Sequence, residues 1–107
     1  MSDTAEERWI GVAELCQRPG VEKLGPNRGG IVAVVLFARD RIAFEERIRR
    51  ILSEMGFDLV RLNDVDLYAQ RMSTHEIDQS IRTAADRLDP ASRDAVAFGT
   101  FNTFPLD

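Results

Sequence analysis

The sequence predicts an α+β protein: a two-layer sandwich in which a mostly antiparallel sheet of about four strands carries two helices on one face. Three observations predict it. Residues 31–38 (Ile31-Val32-Ala33-Val34-Val35-Leu36-Phe37-Ala38) form a continuous apolar run rich in β-branched residues, the pattern of a strand covered on both sides. Residues 41–55 and 74–88 each repeat apolar side chains at i, i+4, i+7, i+8 and i+11, which is one stripe along a helix. Extended patterns at 8–16, 57–62 and 95–104 flank and separate these segments, so the element order is strand, strand, helix, strand, helix, strand.

Residues 1–7 read as a loose tail. Residues 8–16 admit two readings. A Thr4-x-x-Glu7 capping box, with Trp9, Val12, Ala13 and Cys16 to one side and Pro19-Gly20 as a stop, suits a helix. Trp9, Ile10 and Val12 are strand formers, and Gly11 would cost a helix interior about 1 kcal/mol. The strand is the better reading, and it pairs with residues 31–38.

The connection between them, residues 17–30, holds two prolines and four glycines. It is long for a small domain, and long loops carry function more often than short ones. Arg18, Lys23 and Arg28 stand there against a single acid, Glu22, which makes these three the candidate ligand-binding residues, for a small anion. Gly25-Pro26-Asn27-Arg28-Gly29-Gly30 lacks the G-x-x-x-x-G-K-[ST] spacing and leads into a strand, so turn geometry accounts for its glycines better than a phosphate cradle.

In the central unit, Asp40 is a fitting N-cap for a helix over 41–55 and Gly56 a fitting stop. Phe44, Ile48, Ile51, Leu52 and Met55 form its inward stripe. Glu45 with Arg49 and Glu46 with Arg50 are i,i+4 pairs, each contributing about 0.2–0.5 kcal/mol. These acids argue against an anion-binding patch at Arg47, Arg49 and Arg50 and favour a solvated face. Residues 57–62 then resume an extended pattern. Asp64 and Asp66 do not make a calcium loop, because Tyr68, Ala69 and His75 stand where its fifth, sixth and twelfth positions need other residues. Residues 63–68 read as a polar exit from the strand, continuing irregularly through Tyr68.

The second helix spans 74–88 with a Ser73-x-x-Glu76 capping box, an Ile77, Ile81, Ala84, Ala85, Leu88 stripe, and Asp89-Pro90 as its end. Two helices with matching stripes predict side-by-side packing on one face of the sheet. In residues 95–104, the last strand, Val96 and Phe98 share a face, and Phe101 takes the other unless Gly99 marks a bulge. Phe98, Phe101 and Phe104 together suggest either core packing or a contact surface for a partner.

In element order, residues 31–104 are similar to ferredoxin-like and ACT-type ligand-binding modules, which also layer two helices on a four-stranded sheet. The extra N-terminal strand and the missing hairpin between the helices depart from that outline. The resemblance implies a fold and assigns no site residue.

Composition bounds the function. One hundred and seven residues make one domain with a modest core. A net charge of −4 argues against nucleic acid as partner, which needs clustered positive charge. Arginine outnumbers lysine thirteen to one, which reads as a coding bias of a GC-rich genome. One cysteine, Cys16, excludes an internal disulfide and suits a reducing compartment. Residues 1–8 are polar with no apolar stretch after them, and no run approaches the length of a membrane span. The expectation is a cytoplasmic protein without a membrane segment.

Catalytic chemistry finds little support. His75-Glu76 begins an H-E-x-x-H pattern, but Gln79 occupies the second histidine position, so no metal is expected. Cys16 and His75 carry no local nucleophile signature. No catalytic residue, metal or cofactor is assigned. The sequence is read as a non-catalytic interaction module that self-associates as a homodimer through a sheet edge, or engages another protein as small acidic inhibitors do. Phe98, Phe101 and Phe104 are its expected interface. The alternative is a small-ligand or anion sensor using residues 17–30.

Overall fold

The computed structural model describes residues 6–18, 20, 29–89, 95–99 and 102–104. In chain order they form β1 (Glu7–Gln17), β2 (Gly29–Ala38), α1 (Arg41–Glu54), β3 (Phe57–Leu67), α2 (Tyr68–Thr74), α3 (Gln79–Asp86), β4 (Ala97–Phe98) and β5 (Asn102–Phe104). The α+β class and the antiparallel sheet are as the sequence predicts. Strand order is β3-β1-β2-β4, with β5 also paired to β2.

Residues 8–16 are strand, antiparallel to β2, with Ile10 opposite Val35 and Ala13 opposite Val32. Gly11 has a packing reason. A Cβ there would meet Phe44 at 3.1 Å and Leu62 at 3.2 Å, so the bare backbone lets α1 lie close to the sheet. Asp40 caps α1 by accepting from the Ala43 N–H at 2.8 Å. Gly56, with φ of 92°, ends the turn after it.

The helices divide between the two faces of the sheet, and strand alternation shows how. Ala13 and Leu15 of β1, Val32, Val34, Leu36 and Ala38 of β2, and Phe57 and Leu59 of β3 cluster with Phe44, Ile48, Ile51 and Leu52 of α1. The residues of opposite parity, Ile10 and Val35, cluster instead with Tyr68 of α2, Ile81 and Ala85 of α3, and Ala97 of β4. Successive side chains on a strand point to opposite faces, so α1 covers one side and α2 with α3 the other. The expected side-by-side pair on one face is therefore replaced. A matching stripe shows that a helix has an inward side, but not which face of a two-faced strand it meets.

Two boundaries also differ from the sequence reading. Tyr68 is no irregular exit: it opens α2 and is buried at 1% exposure. The helix expected over 74–88 is shortened to α3, which begins only at Gln79, and α2 is an additional helix that ends at Thr74. Ser73 donates its hydroxyl back to Gln70 O at 2.7 Å, and Thr74 Oγ1 meets the same carbonyl at 3.2 Å. Both hydroxyls thus close α2 instead of capping a following helix. Asp78 takes the cap of α3, accepting from the Ser80 N–H at 3.2 Å. The C-terminal strand is likewise interrupted. Gly99 donates its N–H to Ala33 O at 2.9 Å between β4 and β5, and both short strands run against β2.

Candidate functional site

Arg47, Arg49 and Arg50 of α1 are engaged within the chain. Arg47 donates to Phe37 O and pairs with Glu6 at 3.0 Å. Arg49 reaches Glu45 at 3.9 Å and Arg50 reaches Glu54 at 3.8 Å. Arg49 and Arg50 form the solvated, self-compensated face that the interleaved acids imply, whereas Arg47 is mostly buried against β2.

Arg18, the first of the loop cations, is a clamp. Its Nε meets Asp58 Oδ1 at 3.1 Å, Nη1 donates to Ser53 O at 3.1 Å, and Nη2 donates to Ser53 Oγ at 2.6 Å. These bonds tie the end of β1 to the last turn of α1 and the start of β3. Lys23 and Arg28 lie outside the described residues. Of the three phenylalanines, Phe98 is half-buried, sits opposite Val34 and packs against the α1-side core. Phe101 lies outside the described residues. Phe104 is placed by its backbone alone, opposite Gly29 on β5.

His75 is exposed, with Nδ1 at 2.8 Å from Thr74 Oγ1. Cys16 is half-buried on β1, opposite Gly29 and Asp58. Among the described contacts nothing joins the two into a nucleophile–base pair. No cluster of three or more metal-ligating side chains occurs among the described residues.

A feature absent from the sequence reading is a knot around Tyr68. The Arg8 guanidinium lies 4.6 Å from the centre of its ring. Arg8 also donates to Ala85 O at 3.3 Å and pairs with Asp86 at 3.4 Å, so β1, α2 and α3 meet at one cation. The Tyr68 hydroxyl is buried with no hydrogen-bond partner among the described residues. Burial, together with the Asp86 carboxylate, pushes its ionisation above the usual range, while Arg8 and Arg82 pull the other way. The folded chain thus holds this proton more tightly than the unfolded chain does. The contribution is complete below about pH 10, and is lost as pH rises above that value toward the folded-state pKa. Tyr68→Phe is expected to weaken this alkaline loss of stability. At neutral pH it is expected to match wild type or exceed it by up to about 1 kcal/mol, since it removes an unpaired buried hydroxyl. Urea midpoints of both proteins at about pH 8 and about pH 11 check this. A steeper alkaline loss in the variant would contradict it.

Two surfaces remain as candidates for binding. The first is a half-open cleft of about 360 Å³ on the α2–α3 side, lined by Val12, Ile31, Ala33, Ile81 and Gly99, with Asp78 and Asn102 as its polar members. The second is the outer edge of β3, which among the described residues pairs with β1 alone. The far part of that edge is closed to a further strand. Asp64 has a φ of 53°, its carbonyl accepts from Arg71 Nη2 at 2.6 Å, and the Leu67 N–H is taken by Asp66 Oδ1 at 3.0 Å. These are ways in which a sheet edge is blunted. Residues 57–63 carry instead a register shift at Val60 and two exposed charges, Asp58 and Arg61, and Val60 is 54% exposed. No family model, curated protein or solved structure matches this chain.

Proposed function

We propose that this chain is a non-catalytic interaction module that acts through protein–protein contacts, by accepting a strand on the outer edge of β3. The observation that carries this reading is the contrast along a single edge: side chains of Asp66 and Arg71 take backbone groups of residues 64–67, whereas residues 57–63 present a bulge and the charge pattern of Asp58 and Arg61 with no such bond among the described contacts. An unpaired row of N–H and C=O groups is a template for another strand, which is the basis of β-strand addition. A photo-crosslinking residue at position 60, used in the native cell, tests it. Crosslinks from this position to another polypeptide chain, itself or a second protein, are expected. Crosslinks confined to the same chain would overturn the reading.

The cleft favours a second reading, a small-ligand site. Its size falls within the range of such pockets, and its apolar lining suits a compact apolar molecule better than an anion. Native mass spectrometry with and without a metabolite mixture separates the two readings, because it reports retained ligand and oligomeric state together.

A further inference from the structure

The open part of β3 has a self-complementary layout, and a bulge creates it. Glu14 stands opposite Arg61 and Leu15 opposite Leu59, so Val60 is an extra residue on β3. On a regular strand, residues three apart point to opposite faces. The extra residue restores the parity. Asp58, opposite Cys16, and Arg61, opposite Glu14, therefore share the face away from α1. Phe57 and Leu62 share the face toward it, where both join the α1-side core.

Resting on the strand-addition reading above, we infer that the strand added to β3 is β3 of a second copy of this chain. The two run antiparallel about a two-fold axis that passes between Leu59 and Val60. Opposed residues in an antiparallel pair must share a face, and in this register they do. Asp58 of each copy stands across from Arg61 of the other, and Phe57 stands across from Leu62. A two-fold interface brings each such contact twice. Arg18 assists by holding Asp58 through Oδ1, which orients the carboxylate while its second oxygen serves Arg61 of the other copy. The charges that deter an arbitrary strand from this edge are matched by a second β3 in this register. The blunted region beyond Asn63 keeps the pairing short, so the dimer is weak and dissociates as salt screens its ion pairs.

Sedimentation equilibrium at low ionic strength, at protein concentrations up to about 0.5 mM, tests the register. Wild type is expected to dimerise. Asp58→Arg and Arg61→Asp each set like charges opposite each other twice, and each is expected to weaken homodimerisation by at least about tenfold. An equimolar mixture of the two variants restores both pairs, so a heterodimer is expected where neither variant alone associates. Thermal melts of the separate variants verify that each is folded; both positions are exposed. A wild type that stays monomeric overturns the self-pairing, and crosslinking from position 60 to a different protein would then show that strand addition itself survives. A dimer that persists in both single variants overturns this register.

Discussion

Ile48→Asp is expected to leave the chain largely unfolded at neutral pH. Ile48 is fully buried and stands one turn from both Phe44 and Leu52 on the stripe that α1 presses against the sheet. That cluster contains twelve buried residues drawn from three strands and one helix. A carboxylate there would lie in an apolar cluster with no cation among its members, and Arg47, Arg49 and Arg50 of α1 are already engaged with Glu6, Glu45, Glu54 and Phe37 O. Either the acid stays protonated or α1 leaves the sheet, and each outcome costs several kcal/mol. Whole-domain stabilities are about 5–15 kcal/mol, so the loss consumes much of what is present. Urea denaturation followed by circular dichroism checks this, with Glu46→Asp as the control. Glu46 is exposed on the same helix, so its variant is expected to stay within about 0.5 kcal/mol of wild type. A near-wild-type midpoint for Ile48→Asp would mean that α1 does not pack as described.

The parts of the fold legible in the sequence are those that local chemistry decides. The run at 31–38 had to be a central strand because both its faces are apolar, and it does carry a core on each side. Asp40 and Gly56 bounded α1 through a cap and a positive φ. Gly11 tipped residues 8–16 toward strand, and the structure adds the reason, a close approach by Phe44. The missed features are non-local. Three hydroxyl- or carboxylate-bearing residues, Ser73, Thr74 and Asp78, compete to cap in one short segment, and spacing alone does not rank them. Tyr68 looked like part of a polar exit because its neighbours are Asp66 and Gln70, and its burial depends on Arg8, sixty residues away in the chain. For the site, Arg18 was visible as a loop cation, but its partners Ser53 and Asp58 come from the far side of the αβ unit. The bulge at Val60 is a relation between two strands, so no reading of either strand alone contains it.

Ile81→Asp is expected to act differently from Ile48→Asp, although both replace a buried isoleucine with an acid. Ile81 belongs to the smaller cluster, six buried residues including Tyr68 on the opposite face. α3 is only eight residues long and buries just Ile81 and Ala85. Releasing α3 exposes little compared with opening the α1 side. A short element with few buried contacts opens at lower free energy than the whole domain. The variant therefore has an escape that Ile48→Asp lacks: α3 undocks, the charge reaches water, and the α1-covered sheet persists. The expected loss is several kcal/mol locally and less in the global unfolding free energy. Hydrogen exchange separates these outcomes residue by residue. Amides in α3 should lose protection, and α2 should follow, since Tyr68 and Arg8 share the contact with Ala85 and Asp86. Amides in α1 and in the β1–β2 ladder should keep most of theirs. Exposure of Val35 and Ala33 should also raise binding of an apolar dye. Equal loss of protection on both faces would show instead that the two clusters unfold as one unit, with the sheet too thin to stand on α1 alone.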